Sequence, residues 1–283
     1  MRSALPLLLS SFITATAATP IKRGISADVY SNLKFYFQYA SSSYHSTCAK
    51  PNGNTLVEMV NNNVTDTQGF IARDDARKEV VVAFRGSSDA ADFWTDGQIA
   101  LEPFTAPGTA PPVNTTAHSG FLNAWNSVAA EIISTVKLQL SAHAGYSIVT
   151  TGHSLGGALS SLAAITLKQN FPSSPIRMYT YGQPRTGNDQ YAFWVNEQFG
   201  SNAFRAVHTT DGVPTMLPTS IGYRHHGIEY WQSSDPIPPS PDTTKECAAD
   251  GEDPTCSASV PSHGINLAHT VYFGILAMTP FCS

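Results

Sequence analysis

The segment 148–157, which reads IVTTGHSLGG, constrains the fold of this chain more than any other feature. Its first half is apolar and β-branched, as in a buried strand, and residues 155–169 carry the apolar stripe of a helix. Between the two, Ser154 stands in a Gly-x-Ser-x-Gly pentapeptide, the pattern of a sharp turn that exposes a nucleophilic serine. We therefore predict a strand, a turn and a helix at this point of the chain.

The residues around Ser154 suit nucleophilic catalysis. A serine hydroxyl is a poor nucleophile and must be exposed to a base, and the strained turn that exposes it tolerates only small neighbours, here Gly152, Gly156 and Gly157. The N–H of Leu155 begins the helix, where N–H groups lack intrahelical partners and attract negative charge. Leu155 is therefore the first predicted donor of an oxyanion hole. A glycine-rich turn with an incidental serine is the alternative.

Strand and helix patterns alternate along the rest of the chain. The predicted strands are 79–84, 148–151, 177–181, 204–208 and 227–231, and the predicted helices are 121–140, 155–169 and 188–199. Such alternation is typical of a mainly parallel sheet with helices on both faces, so the predicted fold class is α/β, in a single domain. Residues 233–253 include a run of prolines and are expected to form a surface loop.

Composition narrows the classes of partner. The chain has 283 residues, of which 42% are hydrophobic and 13% charged, so it is long enough to bury one large core. Its net charge is −5, and Lys and Arg form no cluster after residue 25. These features argue against a nucleic-acid partner.

The first residues have the pattern of a secretion leader. Residues 1–17 combine Arg2, a short apolar stretch and an Ala-Thr-Ala cleavage site, and residues 18–23 end in a Lys-Arg pair that marks a short pro-segment. We therefore expect residues 24–283 to be a secreted, extracellular monomer without a transmembrane segment. Asn63 and Asn114 each begin a glycosylation sequon, so we expect glycans there.

In an oxidising compartment the four cysteines are expected to form disulfides. They are Cys48, Cys247, Cys256 and Cys282. Four cysteines allow three pairings, and the sequence alone does not choose among them, although a local bridge between Cys247 and Cys256 would close a polar loop. A zinc site is the rival interpretation, disfavoured by the spacing and the compartment.

A serine nucleophile needs a base and an acid that orients the base, and after such a turn the chain order is serine, acid, histidine. Asp211 follows the strand 204–208, at the sheet edge where the serine turn also lies, so it is the predicted acid. The other downstream aspartates are expected to cap helices or face solvent, namely Asp189, Asp235, Asp242, Asp250 and Asp253.

Four histidines compete for the role of the base, His225, His226, His263 and His269. We select His269 because it would begin an apolar C-terminal helix packed on the sheet, and a base should be rigidly held. His225 and His226 are expected at the rim or the surface, and His153, inside the turn, is expected to face away from the serine.

The second oxyanion donor is expected in the loop after an earlier strand. Ser87 leaves the 79–84 strand in this way, so we predict that it donates its backbone N–H and its hydroxyl. A serine that merely forms a turn is the alternative.

Seven motifs extend along the chain. They are FRGS (84–87), GHSLGG (152–157), YGQPRTGN (181–188), HTTDGVP (208–214), GYRH (222–225), EYW (229–231) and AHTVYFG (268–274). In these motifs the chain resembles the filamentous-fungal class 3 lipase family, which includes triacylglycerol lipases and a feruloyl esterase branch.

The resemblance implies an α/β-hydrolase fold and assigns the site. It implies a triad of Ser154, Asp211 and His269, with an oxyanion hole at Ser87 and Leu155. It also favours the disulfides Cys48–Cys282 and Cys247–Cys256, the second lying where the feruloyl esterase branch carries its own short bridge.

Family members differ in residues 88–97, which follow the predicted oxyanion donor Ser87. In the lipases this segment resembles an amphipathic lid that rolls back at an oil surface, whereas in the feruloyl esterase branch it is more polar and stays open. Here Phe93 and Trp94 form an apolar pair opposite three aspartates, which predicts a lid, and an ordinary packed helix is the alternative.

The predicted reaction is hydrolysis of acylglycerols through an acyl-enzyme on Ser154, without a metal or organic cofactor. The expected partner is an ester substrate at a lipid–water interface. A feruloyl or short-chain ester is the alternative substrate. A catalytically silent protein that binds lipid or carbohydrate is the alternative from another class, and the filled triad positions argue against it.

Overall fold

The computed structural model describes residues 24–87, 99–261 and 264–283. The predicted leader (1–17), the pro-segment (18–23), the lid (88–97) with Phe93 and Trp94, and His263 lie outside the described residues.

Helices and strands follow one another in the predicted alternation. In chain order the helices are α1 (Ala27–Ser42), α2 (Ser119–Ala142), α3 (Leu155–Asn170) and α4 (Asp189–Phe199). The strands are β1 (Thr55–Asn62), β2 (Thr67–Asp74), β3 (Glu79–Phe84), β4 (Leu101–Pro103), β5 (Thr116–His118), β6 (Ser147–His153), β7 (Ile176–Tyr181), β8 (Ala203–His208), β9 (Glu229–Gln232), β10 (Thr244–Glu246), β11 (Val271–Tyr272) and β12 (Ile275–Leu276). None of the helices in the described ranges has the length and apolarity of a membrane span.

The central sheet has eight strands in the order β1-β2-β3-β6-β7-β8-β9-β10. The pairs from β3 to β9 are parallel, and the two ends of the sheet are antiparallel. The predicted α/β fold with a mainly parallel sheet is confirmed. The expectation that 233–253 is only a surface loop was wrong, because β10 lies after its last proline, where free N–H groups can pair with β9.

Both faces of the sheet are buried, which explains the continuous apolar runs in its strands. In β3, Val80 and Val82 face a core shared with α2, α3 and α4, whereas Val81 and Ala83 face a core shared with α1 and the C-terminal residues. Strand β6, which leads into the turn of Ser154, lies in the middle of this sheet, so the turn is held between two packed layers.

The predicted C-terminal helix was wrong. His269 lies in a single short 3₁₀ turn, Leu267–Thr270, and the chain then forms the hairpin of β11 and β12. Phe273 and Gly274, between the two strands, both have positive φ, which suits a tight hairpin turn and not a helix. Tyr272 and Phe273 are buried in the α1-side core, so the segment does pack on the sheet as expected.

The cysteines form the disulfides Cys48–Cys282 and Cys247–Cys256. The first joins the region after α1 to the C-terminus, and the second closes the loop that follows β10. All four sulfurs are bonded in pairs and cannot act as thiolate ligands, so the zinc alternative was wrong.

Candidate active site

Ser154 stands on a strained turn between β6 and α3. Its φ of 59° and ψ of −130° are far from the angles of strand or helix, as expected for the serine of such a turn, although the residue as a whole is buried, with 5% of its surface exposed. The turn requires glycine on both sides, because a Cβ at Gly152 would lie 2.0 Å from the Gly156 carbonyl oxygen and a Cβ at Gly156 would lie 2.3 Å from that of Phe84. The sequence therefore folds locally as predicted.

Asp211 and His269 form a buried pair beside this turn. The His269 Nδ1 lies 2.9 Å from the Asp211 Oδ2, and the Tyr272 hydroxyl donates to the same oxygen at 2.5 Å. The backbone N–H of Val213 donates to the Asp211 Oδ1 at 2.9 Å. Burial alone would raise the pKa of Asp211, but these hydrogen bonds outweigh it and the pKa is lowered. Asp211 is therefore held as a carboxylate.

The other imidazole nitrogen of His269 is free to act as a base. Because Nδ1 faces the carboxylate, it carries the proton of the neutral ring and leaves Nε2 as an acceptor. Nε2 is buried and has no hydrogen-bond partner among the described residues. His269 and Ser154 line the same cavity of about 420 Å³, so the structure brings the nucleophile and base candidates to one place.

One predicted oxyanion donor lines this cavity, and the other is the next residue after Ser154 in the chain. Ser87 lines it, and Leu155 begins α3 directly after Ser154. A Cβ at Gly86 would lie 3.0 Å from the Ser154 Cβ, so glycine is needed for the loop after β3 to approach the serine this closely.

Comparison with known proteins agrees with this geometry. A model of the family "Lipase (class 3)" matches residues 81–221. The secreted mono- and diacylglycerol lipase 1 of Fusarium solani is 34% identical in an alignment of 267 positions that covers 87% of this chain and 77% of that protein. This chain belongs to the class 3 lipase family.

Solved lipases share its fold. A triacylglycerol lipase from Penicillium expansum matches with a TM-score of 0.83 and 29% identity, over 92% of this chain and 98% of that one. A triacylglycerol lipase with a serine protease triad as its catalytic centre matches with a TM-score of 0.80 and 31% identity, over 92% and 99% of the two chains. The α/β-hydrolase fold of the class 3 lipases is thus the fold of this chain.

His225 and His226 of this lipase-family chain lie away from the cavity. His225 bonds through Nε2 to the Pro214 carbonyl oxygen at 2.8 Å, and His226 bonds through Nδ1 to that of Gly227 at 2.8 Å. Both rings are buried rather than at the rim or surface, and burial lowers the pKa of His226 to about 4. They are neutral structural groups, which corrects the expectation of exposed histidines.

Three hydrogen bonds around the Asp211–His269 pair were not predicted from the sequence. Tyr272 lies in the AHTVYFG motif, but no pattern indicated that its hydroxyl reaches Asp211. Tyr44 lies outside every motif, and its hydroxyl bonds to His153 Nδ1 at 2.8 Å. His153 in turn bonds through Nε2 to the His269 carbonyl oxygen at 2.8 Å, so its nitrogens engage these groups and not Ser154.

Proposed function

We propose that this class 3 lipase family member is a secreted serine carboxylic-ester hydrolase that cleaves acylglycerols through an acyl-enzyme on Ser154. The observation that carries the proposal is the buried Nε2 of His269, which has no hydrogen-bond partner in the described part of the chain and shares a cavity with Ser154 while Nδ1 is bonded to the Asp211 carboxylate. A strained serine, a base and an acid that orients the base are the components of acyl transfer.

Each step of the proposed reaction uses groups of this chain and water. The Ser154 Oγ attacks the ester carbonyl carbon while the His269 Nε2 takes its proton, and the negative oxygen is stabilised by the N–H groups of Ser87 and Leu155. The imidazolium, stabilised by Asp211, then protonates the leaving alcohol as the ester bond breaks. Water, deprotonated by His269, attacks the acyl-enzyme, releases the acid and restores Ser154.

The cavity wall supports an aliphatic acyl group as substrate. Ile265, Leu276 and Met278 line the cavity, and all three side chains are also exposed to solvent. Leu267, two residues before the proposed base, is 86% exposed. Exposed aliphatic side chains around a catalytic cavity favour contact with acyl chains and support action at a lipid–water interface.

One observation supports the second candidate, a feruloyl or short-chain esterase. The Cys247–Cys256 disulfide is present, and the resemblance placed a short bridge there in the feruloyl esterase branch. Initial rates on tributyrin, triolein emulsion and methyl ferulate with one pure preparation distinguish the candidates. We expect the acylglycerols to be cleaved faster, and dominant turnover of methyl ferulate would overturn the proposal.

The nucleophile is tested by Ser154→Ala. We expect loss of ester hydrolysis to background, with an unchanged unfolding midpoint, because only one oxygen atom is removed. Full activity in this variant would place the nucleophile elsewhere in the chain.

The proposal also covers processing, glycosylation, the lid and the oligomeric state. We propose that residues 1–17 and then 18–23 are removed, and that the exposed Asn63 and Asn114 carry glycans. We further propose that residues 88–97, with Phe93 and Trp94, form a lid and that the protein is a monomer. N-terminal sequencing of the secreted protein should begin at Gly24, and glycosidase treatment should lower its mass. Light scattering tests the monomer, and faster turnover above the solubility limit of tributyrin tests the lid.

A further inference from the structure

A chain of hydrogen bonds connects the loop of the proposed oxyanion hole to the loop of the proposed base. The backbone of Gly86 bonds to the Tyr44 phenol oxygen, and the phenol lies 2.8 Å from His153 Nδ1. The opposite nitrogen of the same ring, Nε2, lies 2.8 Å from the backbone oxygen of His269. His153 itself directly precedes Ser154, so the chain reaches all three parts of the site.

The partners determine the direction of every bond. A carbonyl oxygen only accepts, so His153 Nε2 carries the proton and donates to His269. Nδ1 of the neutral ring then accepts from the Tyr44 hydroxyl, whose oxygen accepts from the Gly86 N–H. In each bond, therefore, only one assignment of donor and acceptor is possible. Replacing Tyr44 or His153 by an apolar residue would leave buried polar groups without a partner.

The environment keeps His153 neutral. The side chain is buried, and burial together with the neighbouring His269 lowers its pKa to about 3. The two imidazole rings lie 4.5 Å apart, centre to centre, so a charged His153 would oppose the imidazolium that forms on His269 during the reaction. With so low a pKa, His153 is too weak a base to compete with His269, and both of its nitrogens bond to neighbouring groups instead.

We propose that Tyr44 and His153 are positioning residues. They fix the positions of the loop of Ser87, the turn of Ser154 and the His269 backbone relative to one another. The inference rests on the proposed function of Ser154 and His269. It assigns a task to two side chains that line the same cavity, and whose polar atoms bond to Gly86, to each other and to the His269 backbone rather than to the Ser154 hydroxyl or the His269 Nε2. Small displacements of a base or an oxyanion donor slow the chemical step strongly, whereas they affect binding less.

Tyr44→Phe tests the inference because it removes a single oxygen atom, and Tyr39→Phe is its matched control. Tyr39 is a buried tyrosine of α1 whose hydroxyl accepts from Asn54 Nδ2 at 2.7 Å, at the opposite end of the sheet from Ser154. The readouts are the rate at which a p-nitrophenyl alkylphosphonate labels the serine, and kcat and KM on p-nitrophenyl butyrate.

For Tyr44→Phe we expect the labelling rate and kcat to fall about tenfold, with KM within twofold of wild type. The reason is that the His153 Nδ1 and the Gly86 N–H each lose a buried hydrogen bond. Tyr39→Phe should stay within twofold on every readout. Equal rates in wild type and Tyr44→Phe would overturn the inference, as would an equal loss in both variants, because a general effect of removing a buried hydroxyl would then explain it.

Two substitutions of His153 separate its two bonds. The amide of His153→Gln reaches the position of Nε2 and can still donate to His269, whereas the amide of His153→Asn reaches only the position of Nδ1. We expect the Gln variant to keep at least a third of the labelling rate and the Asn variant to lose tenfold or more, and the reverse order would contradict the assignment.

Ser154→Ala distinguishes failure of the inference from failure of the proposed function. Labelling of Ser154→Ala at the wild-type rate would refute the proposed nucleophile, whatever the behaviour of Tyr44→Phe. An unlabelled Ser154→Ala together with a fully active Tyr44→Phe would refute only the positioning role.

Discussion

Two histidine–aspartate pairs lie near the carboxyl end of β8, and they differ in what their second nitrogen does. His269 Nδ1 bonds to the buried Asp211, and its Nε2 lacks a partner among the described residues at the cavity. His208 Nε2 bonds to Asp235 at 2.7 Å, but its Nδ1 is occupied by the Ala268 carbonyl oxygen at 2.8 Å. The Asp235 side chain is 55% exposed, whereas that of Asp211 is fully buried.

The comparison shows that a short histidine–carboxylate contact does not by itself make a base. A base needs one nitrogen held by the acid and the other left open toward a substrate. His208 uses both nitrogens to hold neighbouring chain, including the residue that precedes His269, so its task is to support the 3₁₀ turn. If His269 is the base and His208 a structural support, substitutions in the two pairs should have effects of different size.

The largest difference is expected between Asp211→Asn and Asp235→Asn. An amide at 211 can no longer accept the Nδ1 proton or stabilise the imidazolium, so kcat on p-nitrophenyl butyrate should fall about 10⁴-fold. Asp235→Asn alters an exposed contact and should stay within threefold of wild type. Similar losses in the two variants would contradict the assignment of the acid.

Substitution of His208 is expected to have an intermediate effect. His208→Asn keeps an amide that can donate to the Ala268 carbonyl oxygen, and we expect nearly full kcat. His208→Leu leaves that half-buried oxygen unpaired, and we expect about a tenfold loss of kcat together with about 1–2 kcal/mol of stability. Urea unfolding measured beside kcat checks both parts, and identical Asn and Leu variants would show that the Ala268 contact is unimportant.

Tyr272→Phe is expected to have a smaller effect. The variant removes one of several donors to Asp211, so kcat should fall about fivefold while the pair with His269 persists. Tyr39→Phe again serves as the control for loss of a buried hydroxyl. No change in kcat would mean that the phenol is only a packing group.

The smallest effect concerns the pH dependence of stability. The lowered pKa of Asp211 means that its carboxylate stabilises the folded protein above the ordinary carboxyl pKa of 3.8, and that this contribution is lost as the pH falls through the lowered value. Wild type should therefore exceed Asp211→Asn in free energy of unfolding at pH 7, and the gap should narrow below about pH 4. A difference in free energy of unfolding that widens on acidification would show that the pKa of Asp211 is raised and not lowered.

The site was more predictable than the segment that carries its base. Ser154, its glycines and its flanking strand and helix are adjacent along the chain, so their pattern was readable. His269 meets Asp211 as its proposed role requires, but it was selected for a wrong local reason, since a hairpin and not a helix follows it. Apolar residues with helical spacing also suit a hairpin whose turn lies on the core, and the positive φ of Phe273 has no signal of its own.

By itself, the sequence determined the α/β alternation and the strand, turn and helix around Ser154, because each depends on neighbours a few residues apart. Only the tertiary structure decided that Tyr44 and His153 connect two loops, that Tyr272 shares Asp211 with the proposed base, and that His208 and His269 have different tasks. Those contacts join residues from 60 to 116 positions apart. The reason is that the partner of a polar side chain is set by packing across the fold, which no local pattern records.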